Sequence, residues 1–398
     1  MRISRSAKAT ISECLLPGSE AKFELEGPNG RVVCVAGELI GTGRAASVFE
    51  VVDPPMARSL VLKLFNVRPI DPNVGEIINL VDERGLDEIA PIGVDEDRAF
   101  PVVAAPKCLV YAEGGNEPIG IAVLRVDSDR FKPLNVVLNT GRVKRDLRYG
   151  TTIALHLADL VNQIHSRGFV IGDISGTNLM ADSDGFCTIV DVDSFGAERG
   201  DGLPIINAGF ATSNFIAPDL HDGHATEASD RFVIACLILQ LFLHGMHPFG
   251  GVQTGVDQSS IQENMSKGRS WLFDRESFIL PRPFHAFMSM ESLPPAMRRM
   301  ARMALRTSDR PSAEDWLTAV IAAREQIRHC GACGEQKFQE GTCWSCGFGG
   351  TEGPYQILPE PDPEPVPDVT SEGTDTQQQG VADDDEAGFW AKRKKRRA

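Results

Sequence analysis

Gly168-Phe169-Val170-Ile171-Gly172-Asp173-Ile174-Ser175-Gly176-Thr177-Asn178-Leu179-Met180 is followed shortly by Thr188-Ile189-Val190-Asp191-Val192-Asp193-Ser194-Phe195-Gly196. The first stretch sets a carboxylate and a carboxamide five residues apart in a polar loop between apolar runs; the second ends an apolar strand in acids. Oxygen-bearing side chains at this spacing suit a hard cation. Magnesium takes few protein ligands and prefers carboxylate and carbonyl oxygens together with substrate phosphates. Asn178 and Asp191 would hold it while Asp173 faces an acceptor hydroxyl, with Asp193 as the alternative to Asp191.

On the N-terminal side, Gly41-Thr42-Gly43-Arg44-Ala45-Ala46-Ser47-Val48 lies between two valine-rich runs. Glycines there let backbone approach phosphate closely, and Val48 would cover a flat base. A two-glycine hairpin alone is commonly only a turn. Leu60-Val61-Leu62-Lys63-Leu64-Phe65 then interrupts a β-type run with a lysine that must reach water or meet an anion. Arg31 to Phe65 therefore reads as strands of an antiparallel sheet. From Tyr149 onward Ile153, Leu157, Leu160, Val161 and Ile164 recur at helical spacing, and the apolar run Phe232–Leu243, too short for a bilayer, reads as a buried helix. Further helices are expected around 295–306 and after Ser312, whose partner Asp315 makes a capping-box variant. A strand-rich half followed by a helix-rich half predicts an α+β protein.

Taken in order, the glycine loop, strand lysine, Asp-x4-Asn and Asp-rich Phe-Gly turn resemble the eukaryotic-type serine/threonine protein kinase signature over residues 31–326. Ala217-Pro218-Asp219 stands where that family has Ala-Pro-Glu, Asp230 opens the central helix, and Arg310-Pro311 precedes the closing one. The resemblance implies a bilobal kinase-like fold, with a small antiparallel-sheet N-lobe (31–126) and a helical C-lobe (127–326). By position, Gly41, Gly43, Val48 and Lys63 would bind ATP, Lys63 pairing with a helix glutamate (Glu76, or Glu83). Asp173 would be the catalytic base, Asn178 and Asp191 the Mg2+ ligands, Asp230 a brace under the catalytic loop, Ala122–Val126 the adenine-binding hinge, and Asp219 the partner of Arg310. Ile171-Gly172 replaces the family's His-Arg, Ser175 its catalytic-loop lysine and Ala46 its third glycine. These departures resemble a divergent bacterial subgroup found with a PP2C-type phosphatase and a von Willebrand factor A protein, which implies signalling or stress response. Rival readings are a pseudokinase scaffold, a kinase fold that transfers AMP or modifies a small molecule, and a nucleic-acid-binding adaptor.

Cys330, Cys333, Cys343 and Cys346 form two Cys-x2-Cys pairs, each followed by glycine, and predict one tetrahedral Zn2+ in a ribbon over 327–350. Residues 351–398 alternate prolines with acids and end in a basic run from Lys392 to Arg397, reading as a disordered tail; Thr370, Thr374 and Thr376 are candidate autophosphorylation sites. Residues 1–30 read as a lead-in segment. A chain of 398 residues with 42% hydrophobic content should mostly fold, and a net charge of −15 argues against a general polyanion binder. The mixed N-terminus lacks a secretion signal's pattern, so a cytoplasmic protein without a membrane span is expected.

Overall fold

The computed structural model describes residues 21–350, apart from 28, 44, 67–68, 94–99, 200–202, 209–216, 219–224, 257 and 282–286. Six strands come first: β1 (Lys22–Gly27), β2 (Gly30–Thr42), β3 (Ala46–Asp53), β4 (Leu60–Phe65), β5 (Pro106–Ala112) and β6 (Pro118–Leu124). They close into an antiparallel barrel in the order β1-β2-β3-β4-β6-β5. Closure depends on β1, where Phe23 lies opposite both Cys34 and Ala112. The boundary expected at residue 30 is therefore corrected: residues 22–27 are part of the barrel. Their alternation Phe23-Glu24-Leu25-Glu26 turns Phe23 and Leu25 into a core shared with Phe49, Leu62, Leu64 and Val110. Gly120 lets β6 run close to β4, because a Cβ there would meet the Lys63 carbonyl oxygen at 2.3 Å.

Helix α1 (Asn73–Glu83) separates β4 from β5 and buries Val74, Ile77 and Val81. Its Glu76 and Glu83 are exposed. Short β7 (Lys132–Pro133), α2 (Leu134–Leu138) and α3 (Gly141–Arg145) lead to α4 (Leu147–Ser166), whose N-cap Asp146 accepts the Tyr149 N–H. Ile153, Leu157, Leu160, Val161 and Ile164 are all buried on α4, as the spacing predicts. After β8 (Phe169–Val170), β9 (Leu179–Ala181), β10 (Cys187–Ile189), β11 (Gly196–Glu198) and β12 (Pro204–Ile206) comes α5 (Glu227–Phe242), capped by a Thr226/Ser229 box. It is apolar all round because it is the central element of the helical part, which continues through α6 (Ile261–Ser266), α7 (Pro295–Arg306) and α8 (Ala313–Arg324). Ser312 and Asp315 form the expected capping box of α8.

The cysteine segment is the hairpin of β13 (Ile327–His329) and β14 (Gln336–Phe338) with the loops around it. It is packed onto the helical part: Phe338 stacks on Phe242 at 5.3 Å and Trp344 lies against His244 at 4.4 Å. Trp344 therefore serves packing within this protein. Among the described residues, no helix is long and apolar enough to cross a membrane. The tail 351–398, its candidate threonines and Asp219 lie outside the described residues.

Candidate active site

Antiparallel register places Gly41 opposite Val48, Val48 opposite Lys63 and Lys63 opposite Ile121. Directly opposed residues share a sheet face, so Val48, Lys63 and Ile121 present one surface. Gly43 N–H donates to the Ala46 carbonyl at 2.8 Å and closes the hairpin. A Cβ added at Gly41 would meet nothing within 4 Å, so internal packing does not require glycine there and the backbone stays open to a ligand. The segment 122–126, expected to be the hinge, is partly strand. Ladder pairing runs to Leu124, and the N–H groups of Leu124 and Arg125 donate to the carbonyls of Ala105 and Ser59.

Below the barrel, the loop 171–178 hangs from Asp230. This fully buried carboxylate accepts the N–H of Ile171 at 2.7 Å and of Gly172 at 2.9 Å, and meets His165 Nε2 at 3.1 Å. Gly172 has φ +75°, a left-handed conformation that a side chain would strain, so glycine relieves the backbone where the resembled family has arginine. One residue on, Asp173 is held by Asn178, whose Nδ2 donates to the Asp173 carbonyl and to its Oδ2, both at 3.0 Å. With Nδ2 so committed, Oδ1 is the atom of Asn178 suited to a hard cation. Ser175 is buried, and its Oγ bonds to Thr177 Oγ1 at 2.8 Å and accepts the Asn178 N–H. It shapes the loop and projects no donor where a lysine would stand.

Asp191, two residues past β10, takes a left-handed conformation (φ +65°) and caps the single turn Val192–Ser194, with Val192 buried. This geometry turns two carboxylates onto one ammonium: Lys63 Nζ lies 2.9 Å from Asp191 Oδ1 and 2.6 Å from Asp193 Oδ1. Burial disfavours the lysine's charge, but Asp193 and then Asp191 outweigh it and hold its pKa above the ordinary value. The expected pairing of Lys63 with Glu76, or with Glu83, is not formed. Residues Val74, Ile77 and Val81 take the inward face of α1, which turns both glutamates to solvent. The structure thus brings Lys63, Asp191 and Asp193 together, and separately Asp173 and Asn178; the Asn178 carbonyl accepts the Val190 N–H at 2.9 Å and so ties the second group to the strand carrying the first.

Two positioning groups escaped the sequence reading. Arg84, the C-cap of α1, donates to the carbonyls of Arg167, Gly168 and Glu198 and lies over the Phe169 ring. Its partners are backbone atoms, which leave no complementary residue to notice. His165, on the last turn of α4, is detectable only once Asp230 is known to face it. Arg310 is buried, donates to the Ala228 carbonyl at 2.8 Å and covers the Phe232 ring.

The sulfurs of Cys330, Cys333, Cys343 and Cys346 lie within 4.8 Å of one another, with 3.6 Å between Cys330 and Cys346 and between Cys333 and Cys343. Sulfurs about 2.3 Å from a tetrahedral zinc stand about 3.8 Å apart, whereas a disulfide needs about 2.05 Å. The set fits a closed structural metal site with no coordination position open for catalysis. Burial pushes the Cys330 thiol up, but the N–H groups of Ala332 and Cys333 bring it down to about 7.

No protein-family description matches the chain. Over 246 residues it is 24% identical to "Protein kinase YegI" of Escherichia coli K12 and 23% identical to its counterpart in Escherichia coli O157:H7. The match covers 57% of this chain and 37% of each relative, so the chain spans little more than a third of the curated relatives' length. A solved structure, "ROP18 kinase domain in complex with AMP-PNP and sucrose", aligns with 81% of this chain and 90% of its own at a TM-score of 0.49 and 14% identity.

Proposed function

We propose that the chain is an ATP- and Mg2+-dependent protein kinase that phosphorylates serine or threonine of a protein substrate. The carrying observation is two neighbouring groups, Asp173 with Asn178 in a loop suspended from Asp230 and Lys63 with Asp191 on the barrel side, joined by the Val190 to Asn178 backbone bond and accompanied by a strand hairpin with open glycine backbone. Similarity to a relative named a protein kinase supports it.

Bound ATP with Mg2+ supplies the γ-phosphoryl group and neutralises its charge. Asn178 Oδ1 and Asp191 would hold the cation, and Lys63 would contact the α and β phosphates. Asp173 takes the proton from the acceptor hydroxyl as its oxygen bonds to the γ-phosphorus; the bond to the β–γ bridging oxygen breaks, and ADP leaves with that electron pair. Four cysteines would hold a structural Zn2+. Partnership with a PP2C-type phosphatase and a von Willebrand factor A protein, in bacterial signalling, belongs to the same reading through the family resemblance.

The test is the intact mass of wild type and Asp173→Asn after incubation with magnesium and ATP and a generic basic acceptor protein. Phosphate-sized additions in wild type alone support the reading. AMP-sized additions replace it with nucleotidyl transfer. ATP binding without any addition favours a nucleotide-binding scaffold, the reading that the buried Ser175 would suit.

A further inference from the structure

We infer that Asp193, rather than a glutamate of helix α1, is the positioning residue that anchors Lys63; this deepens the kinase reading and rests on it for its meaning in catalysis. The observation behind it is a division between two carboxylates two residues apart. Asp193 lies 2.6 Å from the ammonium, and both side chains are only 13% exposed. Asp191 lies 2.9 Å away but is 49% exposed. The more enclosed carboxylate makes the stronger pair, because solvent screens it less. The more open one keeps oxygen lone pairs available for a cation that also contacts Asn178. One turn therefore supplies both functions.

The backbone explains how. With Asp191 in the left-handed region and Val192 buried, the chain leaves the strand in one tight turn that holds the carboxylates of Asp191 and Asp193, two residues apart, against one amine. The Ser194 N–H and Oγ both bond to the Asp191 carbonyl, at 3.2 and 2.8 Å, and fix that reversal. Helix α1 offers no competing carboxylate, since its inward face is Val74, Ile77 and Val81. A consequence is that the lysine is seated by a residue of the acidic turn itself. A shift of α1 that preserved the turn would leave Lys63 in place, so the helix would not gate the site by making or breaking a lysine pair.

The test reads the lysine directly and does not require kinase activity. The full chain, without nucleotide, is trace-labelled with acetic anhydride, and the acetylation rate of Lys63 is measured by peptide mass spectrometry against the exposed Lys22. Asp193→Asn should raise the Lys63 rate by about fivefold, as the amine is released from its ion pair with the enclosed carboxylate and reaches the reagent. Asp193→Glu, which can still hold the amine, should return it to within about twofold of wild type. The double variant Glu76→Gln/Glu83→Gln should leave it unchanged. An unchanged rate in Asp193→Asn, or a raised rate in the glutamine double variant, overturns the assignment. If Asp193→Asn does not fold, the double variant decides alone: a protected lysine supports the anchor and a labelled one removes it. If wild type shows no phosphotransfer while labelling follows this pattern, the kinase reading fails and the anchor stands.

Discussion

The carboxylate of Asp230 accepts the N–H of Gly172 at 2.9 Å, tying the central helix to the residue that precedes Asp173. The same carboxylate takes the Ile171 N–H, so one buried side chain satisfies two backbone donors inside the core. Asp230→Ala would strand both. Each buried unsatisfied donor costs about 1–3 kcal/mol, so a loss of about 2–6 kcal/mol is expected in urea unfolding, together with loss of any phosphotransfer. Asp230→Asn retains one acceptor oxygen and should lose roughly half as much. A midpoint unchanged in Asp230→Ala would refute the brace.

Arg84 connects α1 to the strands flanking the loop through three carbonyls. Arg84→Met keeps much of the stem but releases all three, and Arg84→Lys reaches fewer because an ammonium lacks the planar fork. Hydrogen exchange at residues 167–169 and 196–198 should accelerate by about tenfold or more in Arg84→Met, as losing a charged hydrogen bond worth about 1.5–3 kcal/mol implies. Lysine should fall between. Exchange unaltered in both variants would show that packing alone holds this junction.

The loop was legible because it combines side chains of incompatible preference: an acid and an amide within apolar runs have few inexpensive structural uses. Asp230 opens the apolar central helix, and its role as a brace is legible only through the family resemblance. The placement of Glu76 is legible in its own helix: Val74, Ile77 and Val81 at i, i+3 and i+7 define the inward face and leave Glu76 and Glu83 outside it. β1 was also readable in its alternation, yet six residues ending at a turn do not reveal that they close a barrel, which depends on pairing with β5 far along the chain. Asp193 at Lys63 could not be read at all, because it depends on a positive φ at a non-glycine residue.

Burial lowers the pKa of His247 to about 3 and of His244 to about 4. Both are neutral in the folded protein, and His247 Nδ1 accepts the Phe249 N–H at 3.1 Å, which a proton on that atom would abolish. Unfolded histidine titrates near 6.5, so as pH falls below that value the unfolded chain gains protons that the folded one refuses. Stability should therefore be unaffected by these groups above about pH 6.5 and decline below it toward about pH 4, by up to about 1.4 kcal/mol per pH unit for each histidine. His247→Asn preserves an acceptor near Nδ1 and removes the titration. Wild type should lose stability relative to this variant as pH falls from 7 to 5, so any advantage it holds at pH 7 shrinks, and a constant difference would count against the assignment.

The cysteine hairpin tests whether metal and fold are coupled. Phe338 is buried against Phe242, Ile327 joins the same core, and Thr342 N–H donates to the Glu291 carbonyl at 2.8 Å. A Cβ on Gly341 would meet the Ser292 carbonyl oxygen at 2.5 Å, so the loop that follows β14 sits directly on the helical part. Such a small module has little core of its own, and its order depends on the four cysteines being held together. Purified protein should carry one zinc per chain by elemental analysis. Removing it with a chelator, or replacing the buried Cys343 by serine, should expose Phe338 and Trp344 and lower the melting temperature of the whole unit, by several degrees for a loss of about 2–3 kcal/mol. If the hairpin were an independent appendage, chelation would alter Trp344 fluorescence while the main transition stayed fixed, and the close packing around Phe242 argues for the first outcome.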